Sequence, residues 1–97
     1  MIASFADQGT GDIFNDVNSK KARSALPRPL WPAAQELLDL LNAAVHYSEL
    51  AIPTSNGLHP LGSDRQGQMA VKINRQYRIC FRFEKGEFHD VEILDYH

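Results

Sequence analysis

The sequence predicts an α+β domain in which two N-terminal helices pack on a small, mainly antiparallel, twisted sheet. Two patterns support this prediction. Between residues 30 and 45, apolar residues recur every three or four positions, which is typical of an amphipathic helix. From residue 68 onwards, apolar and polar residues alternate in three runs separated by turn residues, which indicates antiparallel strands. A chain of 97 residues is large enough for one core, so we expect a single domain over residues 1–97.

The composition argues against several classes of protein. Hydrophobic residues make up 43% of the chain, a content that suits a globular domain and not a disordered one. No apolar run approaches the roughly 18 residues that a membrane-spanning helix needs, and the first residues lack the pattern of a signal peptide. The only cysteine, Cys80, excludes an intrachain disulfide and a cysteine zinc cluster. We therefore expect a cytoplasmic protein that does not bind membranes.

The N-terminal half predicts one strand and two helices. Residues 2–5 form a short apolar run, and either Thr10 or Asp12 is expected to cap a short helix that reaches Val17. Prolines within residues 24–29 interrupt any helix there. The second helix is predicted from an apolar stripe formed by Leu30, Ala34, Leu37, Leu38, Leu41 and Val45.

The first two alternating runs predict a hairpin whose loop length can be deduced. Opposed residues in an antiparallel pair point to the same face, so the loop must keep the apolar residues together. A two-residue loop would pair Ile73 with Arg78 and mix the two faces. The three-residue loop 74–76 instead pairs Lys72 with Arg78 and is our prediction. Two cations directly opposite each other then require an anion or an acidic residue nearby.

The third run predicts a second hairpin through the loop 84–86, whose glycine suits a position with positive φ. This loop would pair Ile79 with Val91 and Arg78 with Glu92. Two interpretations of that pairing stay open. Arg78 is an ordinary cross-strand ion-pair partner, or Glu92 is a resident counter-charge that an incoming phosphate displaces or shares.

The charges are unevenly distributed, although the net charge is only −2. Residues 17–35 and residues 65–83 contain cations and no acid. A local anion-binding patch and an ordinary solvated surface explain this distribution equally well. The cations are Lys20, Lys21, Arg23 and Arg28 in the first segment and Arg65, Lys72, Arg75, Arg78 and Arg82 in the second.

A series of short motifs runs in order along nearly the whole chain. They are Met1-Ile2-x-Ser4-Phe5, Leu37-Leu38-x-Leu40-Leu41-Asn42-Ala43-Ala44, Gly57-Leu58-His59-Pro60-Leu61, Asp64-Arg65-x-Gly67-Gln68, Tyr77-Arg78-Ile79-x-Phe81-Arg82-Phe83 and Asp95-Tyr96-His97. In this order they resemble the HigB-type toxins of the RelE superfamily, the toxin half of bacterial toxin–antitoxin modules. The resemblance implies a RelE-like fold over residues 1–97.

The resemblance also implies an activity, partners and site residues. The activity is ribosome-dependent cleavage of mRNA without a metal or a cofactor. The partner is a helix-turn-helix, HigA-like antitoxin, and operator DNA is contacted only through that antitoxin. The implied catalytic residues are His59, Arg78, Asp95, Tyr96 and His97. Lys72 is an implied phosphate contact, and the cationic segments add Arg82, Arg65, Lys20 and Lys21 as RNA-binding candidates.

Cleavage of RNA without a metal needs three contributions from side chains. They are a base for the 2′-hydroxyl, stabilisation of charge at the phosphate and an acid for the leaving 5′-oxygen. Both His59 and His97 are residues of the type that can exchange protons. Asp95 is a candidate base or an orienter of a histidine, and Tyr96 can stack on a nucleobase or donate a proton. Arg78 would hold the phosphate through its forked N–H groups.

The same residues also have ordinary explanations. A histidine before a proline is commonly a surface residue, and a C-terminal tripeptide is commonly frayed. We interpret His46 and His89 as non-functional, and Cys80 as a poor nucleophile. The low net charge weakens the expected attraction to RNA, as does the loop Gly62-Ser63 before Asp64, where related toxins carry lysines. A degenerate toxin that binds only its antitoxin is therefore the alternative function, and a small-anion-binding domain is a third.

Overall fold

The helices precede the sheet in the chain. The computed structural model describes residues 1–96, and His97 lies outside them. Over these residues the chain forms the α-helices α1 (Gln8–Phe14), α2 (Lys20–Ala25) and α3 (Trp31–Ala43). No helix within the described residues is both long and apolar enough to cross a membrane. Since α2 was not predicted, the N-terminal half is more helical than its sequence indicated.

The sheet is antiparallel throughout. Its strands are β1 (His59–Pro60), β2 (Met69–Lys72), β3 (Tyr77–Glu84) and β4 (Glu87–Asp95). They lie in the order β1-β2-β3-β4, and each is antiparallel to its neighbours. The predicted α+β class with helices packed on an antiparallel sheet is therefore confirmed.

The helices cover one face of the sheet and share a continuous apolar core with it. The largest buried side chains are Phe81 on β3 and Phe88 on β4, whose rings meet edge to face with centroids 5.1 Å apart. The predicted stripe ends early, because α3 stops at Ala43 and leaves Val45 76% exposed. The stripe residues that α3 buries completely are Ala34, Leu38 and Leu41.

The caps of the first two helices differ from the predicted ones. The carboxylate of Asp7 accepts a hydrogen bond from the Thr10 N–H at 2.7 Å, so Asp7 is the N-cap of α1. The hydroxyl of Ser19 caps α2 by accepting from the Ala22 N–H at 3.0 Å. The same hydroxyl donates to Asp12 at 2.6 Å, which joins the two helices. The predictions of Thr10 or Asp12 as the cap were therefore wrong.

The predicted N-terminal strand is reduced to isolated bridges. Residues 2–5 lie parallel to β4, along its outer edge. The Ala3 N–H donates to the Phe88 carbonyl at 2.8 Å, and the Val91 N–H donates to the Ser4 carbonyl at 3.1 Å. These bonds satisfy backbone groups that an open sheet edge would leave unpaired.

The first hairpin has the predicted register. Lys72 lies opposite Arg78, and Val71 lies opposite Ile79. The Asn74 side chain accepts hydrogen bonds from the N–H groups of Gln76 at 2.9 Å and Tyr77 at 2.8 Å, which fixes the loop. A loop with an odd number of residues keeps the apolar side chains of both strands on one face. The same register places the two cations opposite each other.

The predicted register of the second hairpin was wrong. Lys85 and Gly86 form a two-residue loop with positive φ at both positions, as tight hairpins of right-handed twist require. Further along, Asp90 also has a positive φ, and the pairing shifts by one residue between Cys80 and Arg82. This β-bulge brings Cys80, and not Arg78, opposite Glu92.

Candidate functional site

One row of side chains crosses all four strands on the sheet face that the helices leave open. His59 on β1 lies opposite Ala70 on β2. Cys80 on β3 lies opposite Ala70 on one side and Glu92 on the other. Ala70 and Cys80 are completely buried but do not belong to the helical core. The loop between β1 and β2, which carries Arg65, therefore folds over the centre of this face.

Arg65 is held across this row by an ion pair. Its Nη1 donates to Glu92 Oε1 at 3.0 Å and to Gln68 Oε1 at 3.1 Å. The hydrogen bond to Glu92 raises the pKa of the Arg65 guanidinium above its ordinary value. Glu92 is thus the counter-charge of Arg65 and not of Arg78, which corrects the predicted pairing. Arg65 fixes the loop that follows His59.

A second row, next to the first, contains the predicted phosphate contacts. Lys72 on β2 and Arg78 on β3 lie directly opposite each other, and Lys72 is exposed. Residues two apart along a strand point to the same face, so this row is about 7 Å from the row that contains His59. The ring of Tyr96 lies over the Arg78 guanidinium, with the Cζ atom 5.0 Å from the ring centroid. The structure therefore brings Lys72, Arg78 and Tyr96 together on one face.

The Arg78 guanidinium is only partly satisfied by the protein. Its Nη1 donates to the Asn74 carbonyl at 2.6 Å and, less directly, to the Tyr77 carbonyl at 3.4 Å. Its Nε is buried and has no hydrogen-bond partner among residues 1–96. A buried donor without an acceptor costs about 1–3 kcal/mol, so this group favours an incoming acceptor. A phosphate oxygen has the charge and geometry that a guanidinium binds best.

The tautomer of His59 follows from its hydrogen bond. Its Nδ1 lies 2.8 Å from the Gly57 carbonyl oxygen, which can only accept. Nδ1 therefore carries a proton, and in the neutral ring Nε2 presents a free lone pair. Gly57 has a φ of +62°, and a Cβ atom at this position would lie 3.6 Å from Lys72 Cβ. The loop before His59 therefore lies near Lys72, in the second row.

The C-terminal end of β4 is fixed by Gln76. The Gln76 carbonyl accepts a hydrogen bond from the Tyr96 N–H at 2.6 Å, and its side-chain amide donates to Asp95 at 3.2 Å. Asp95 lies opposite Tyr77, so by register it points away from the face that carries His59 and Arg78. The predicted residue His97 lies outside the described residues. Of the two described C-terminal candidates, Asp95 and Tyr96, Tyr96 is the one that lies on the open face.

The remaining RNA-binding candidates lie away from the two rows or are already paired. Arg82 donates to Asp90 at 2.9 Å and to Glu84, and these hydrogen bonds raise the pKa of Arg82. The two lysines of α2 line a small hollow together with Ile93, a residue of the core face. These lysines, Lys20 and Lys21, therefore lie on the helical side of the sheet.

Cys80 is not a candidate nucleophile in this structure. Its side chain is completely buried, and burial raises the pKa of the thiol, so the reactive thiolate is disfavoured. Within residues 1–96, no group of three or more His, Cys, Asp or Glu residues is arranged to hold a metal ion.

Three supporting residues were not recognised from the sequence. Asn74 and Gln76 hold the loop of the first hairpin and the end of β4, and Gly57 adopts the positive φ of the loop before His59. Asn is common in loops because its side chain accepts from backbone N–H groups two and three positions ahead, which was an available signal. The contact of Gln76 with Asp95 joins residues 19 apart and had no local signal.

Comparison with known families decides the assignment. Residues 3–97 match the family described as the RelE-like toxin of the type II toxin–antitoxin system HigB. The chain belongs to this family. As a HigB-like toxin it functions as one half of a toxin–antitoxin pair, so an antitoxin is its partner. The resemblance stated from the short sequence motifs is confirmed.

Two relatives named HigB are similar to this chain along most of their length. The Endoribonuclease HigB of Proteus vulgaris is 29% identical over 97 residues, which cover 100% of both chains. The Toxin HigB-1 of Vibrio cholerae is 28% identical over 86 residues, which cover 89% of this chain and 87% of the relative.

Solved structures of more distant proteins share the fold. A chain of the YoeB–YefM complex from Staphylococcus aureus aligns over 100% of this chain and 98% of its own, with a TM-score of 0.62 at 15% identity. YafQ from E. coli aligns over 98% of this chain and 93% of its own, with a TM-score of 0.56 at 10% identity. These likenesses confirm the RelE-like fold of this HigB-like toxin.

Proposed function

We propose that this HigB-like toxin is an endoribonuclease that cleaves mRNA on the ribosome, in the bacterial cytoplasm. The observation that carries the proposal is the arrangement of Lys72 opposite Arg78, in the row next to His59, whose Nδ1 donates to the Gly57 carbonyl so that Nε2 is the proton acceptor of the ring. A cationic pair binds the scissile phosphate, and a neighbouring base activates the attacking group. The name of the Proteus vulgaris relative, an endoribonuclease, supports the same activity.

The reaction begins with the 2′-hydroxyl of the nucleotide on the 5′ side of the scissile phosphate. His59 Nε2 accepts its proton as the oxygen attacks the adjacent phosphorus. The bond from phosphorus to the 5′-oxygen of the next nucleotide then breaks, and that oxygen takes up a proton. The products are a 2′,3′-cyclic phosphate, which can open to a 3′-phosphate, and a 5′-hydroxyl end.

Lys72 and Arg78 stabilise the negative charge that accumulates on the phosphate oxygens during this attack. Arg78 offers planar, directed N–H groups, of which Nε has no partner among the described residues. Lys72 adds a point charge from the neighbouring strand, without a fixed direction. Groups that are fixed before the reaction stabilise the transition state without reorganisation, and the first hairpin supplies this rigidity.

The C-terminal residues complete the site in this proposal. Tyr96 lies over Arg78 and is 44% exposed, so its outer face is available for stacking on an RNA base. Asp95, which the register directs to the other face, acts as a positioning residue for the chain end. His97 then remains the candidate acid that protonates the leaving 5′-oxygen.

The partners follow from the same proposal. The ribosome presents the mRNA, and a helix-turn-helix, HigA-like antitoxin neutralises the toxin and carries it to operator DNA. A second candidate function is a catalytically weak toxin that mainly binds its antitoxin. The ion pairs of Arg65 and Arg82 favour it, because they leave fewer cations free for RNA in a chain of net charge −2.

Induction of the gene in a bacterium separates the two candidates. We expect growth to arrest on induction of the toxin alone and to resume when the adjacent antitoxin gene is induced. The measurement is the optical density of the culture, together with the amount of soluble full-length toxin. Unchanged growth in the presence of soluble toxin would contradict the proposed nuclease and favour the weak toxin.

A further inference from the structure

An open groove of about 770 Å³ lies beside the candidate site and shares Lys72 with it. Its walls are α3 on one side and, on the other, the segment that contains the short 3₁₀ helix Thr54–Asn56. Ile73, which follows β2, lies between them. The apolar side chains of the groove are Ala33, Leu37, Leu40, Ile52, Pro53 and Ile73. This is the kind of surface into which an apolar segment can be seated.

Ile52 is the clearest sign that the groove lacks its partner. It lines the groove and is 77% exposed, whereas Leu37 and Leu40 are partly buried against the core. A single exposed isoleucine is ordinary, but here it extends a continuous apolar surface at the rim of a concave site. The groove therefore has both an apolar floor and an apolar edge that a bound segment would cover.

The charge of the groove limits what can occupy it. Glu36 and Asp39 stand exposed on the α3 wall, and neither has a hydrogen bond or ion pair within the described part of the chain. RNA would bring its phosphates against these two carboxylates, which disfavours it as the occupant. A segment with Lys or Arg beside its apolar side chains would instead pair with them.

We infer that this groove is a docking site for the antitoxin. The docked segment places apolar side chains against Leu40, Ile52 and Ile73 and basic side chains against Glu36 and Asp39. The inference rests on the toxin–antitoxin pairing of the proposed function. Lys72 also lines the groove, so a seated segment reaches one of the two phosphate contacts and competes with RNA there.

Charge reversal on the α3 wall tests the inference. The probe is the small protein encoded beside the toxin gene, purified separately and titrated into the toxin by calorimetry. We expect Glu36→Lys and Asp39→Lys each to weaken its binding by about tenfold, since each turns an attraction into a repulsion. Glu87→Lys is the matched control, because Glu87 is equally exposed on β4 and does not line the groove. The control should change the affinity less than about twofold.

A second pair of variants tests the apolar part of the groove. Ile52→Asp should weaken antitoxin binding by at least about tenfold, and Val45→Asp should not, although Val45 is just as exposed. Equal affinities for the groove variants and their controls would overturn the inference. It would also be overturned if the free toxin were a dimer that Glu36→Lys dissociates, because a second copy would then occupy the groove.

The inference and the proposed function can fail separately. Ribosome-bound mRNA is offered to each groove variant without antitoxin, and we expect cleavage at the rate of the unmodified chain. Loss of antitoxin binding with retained cleavage supports both. Absence of cleavage by the unmodified chain would contradict the proposed nuclease. The calorimetric comparison would still decide whether the antitoxin docks in the groove.

Discussion

Replacing Arg78 with alanine should lower the rate of mRNA cleavage by about 100- to 1000-fold, the loss typical of removing one fixed donor from a developing oxyanion. The reason is that Arg78 supplies directed N–H groups, including an Nε without a partner among the described residues, at the point where Lys72 adds a second charge. The measurement is the single-turnover cleavage rate on preformed ribosome complexes that carry a defined mRNA.

The control for this prediction lies in the same hairpin. Arg75 is exposed in the loop of the first hairpin, and Arg75→Ala removes the same charge without touching the two rows. Arg78→Lys keeps the charge but loses the fork, so it should recover only part of the rate. If Arg78→Ala and Arg75→Ala cleave equally fast and both variants are folded, Arg78 does not bind the scissile phosphate.

Replacing His59 with alanine should lower the cleavage rate by about 100- to 10,000-fold, which is the usual contribution of a general base. The Gly57 carbonyl fixes the proton on Nδ1 and leaves Nε2 as the acceptor, so alanine removes the proposed base. Binding of ribosomes should be unchanged, because the proposed role of His59 is proton transfer and not binding. The same single-turnover assay, combined with ribosome sedimentation, separates the two effects.

His89 provides the matched control for His59. It lies on β4 opposite Arg82, beyond the bulge and outside both rows. His89→Ala should therefore cleave at the rate of the unmodified chain. A His59→Ala variant that is folded and equally active would show that the base is another residue, with His97 as the first alternative.

Local alternation was sufficient to predict the first hairpin and, with it, the centre of the site. The apolar residues of β2 and β3 could stay on one face only if the loop had an odd number of residues. A three-residue loop then places Lys72 opposite Arg78. The prediction succeeded because strand register over a short loop is a local property. Asn74, which fixes the loop by accepting two backbone N–H groups, adds local support to the same register.

The predicted register of the second hairpin was wrong because the loop has two residues instead of three, and because a bulge then changes the parity of the strand. Phe88 and Val91 are both buried in the core although three positions separate them, and the positive φ of Asp90 makes this possible. The buried apolar residues of β4 change from an even position, Phe88, to an odd one, Val91. This change was the signal in the sequence that could have indicated the bulge. Glu92 pairs with Arg65 instead of Arg78. These two residues are 27 positions apart in the sequence, so their contact depends on how the loop folds over the sheet.

The catalytic candidates depended on the resemblance more than on the residue pattern. Alternation alone gave a cationic face, and the motifs added His59 and the chain end as functional residues. The structure adds two details that neither the residue pattern nor the resemblance contained. His59 has a defined tautomer, and Asp95 points by register to the other face, which favours His59 over Asp95 as the base.

We propose that this toxin cleaves mRNA on the ribosome by attack of the 2′-hydroxyl. The most direct test incubates the purified chain with one mRNA, free or bound to ribosomes, and identifies the ends of the products. We predict cleavage of the bound mRNA only, with a 5′-hydroxyl on the downstream fragment and a cyclic or 3′-phosphate on the upstream one. A 5′-phosphate on the downstream fragment, or no cleavage of bound mRNA by folded protein, would contradict the claim.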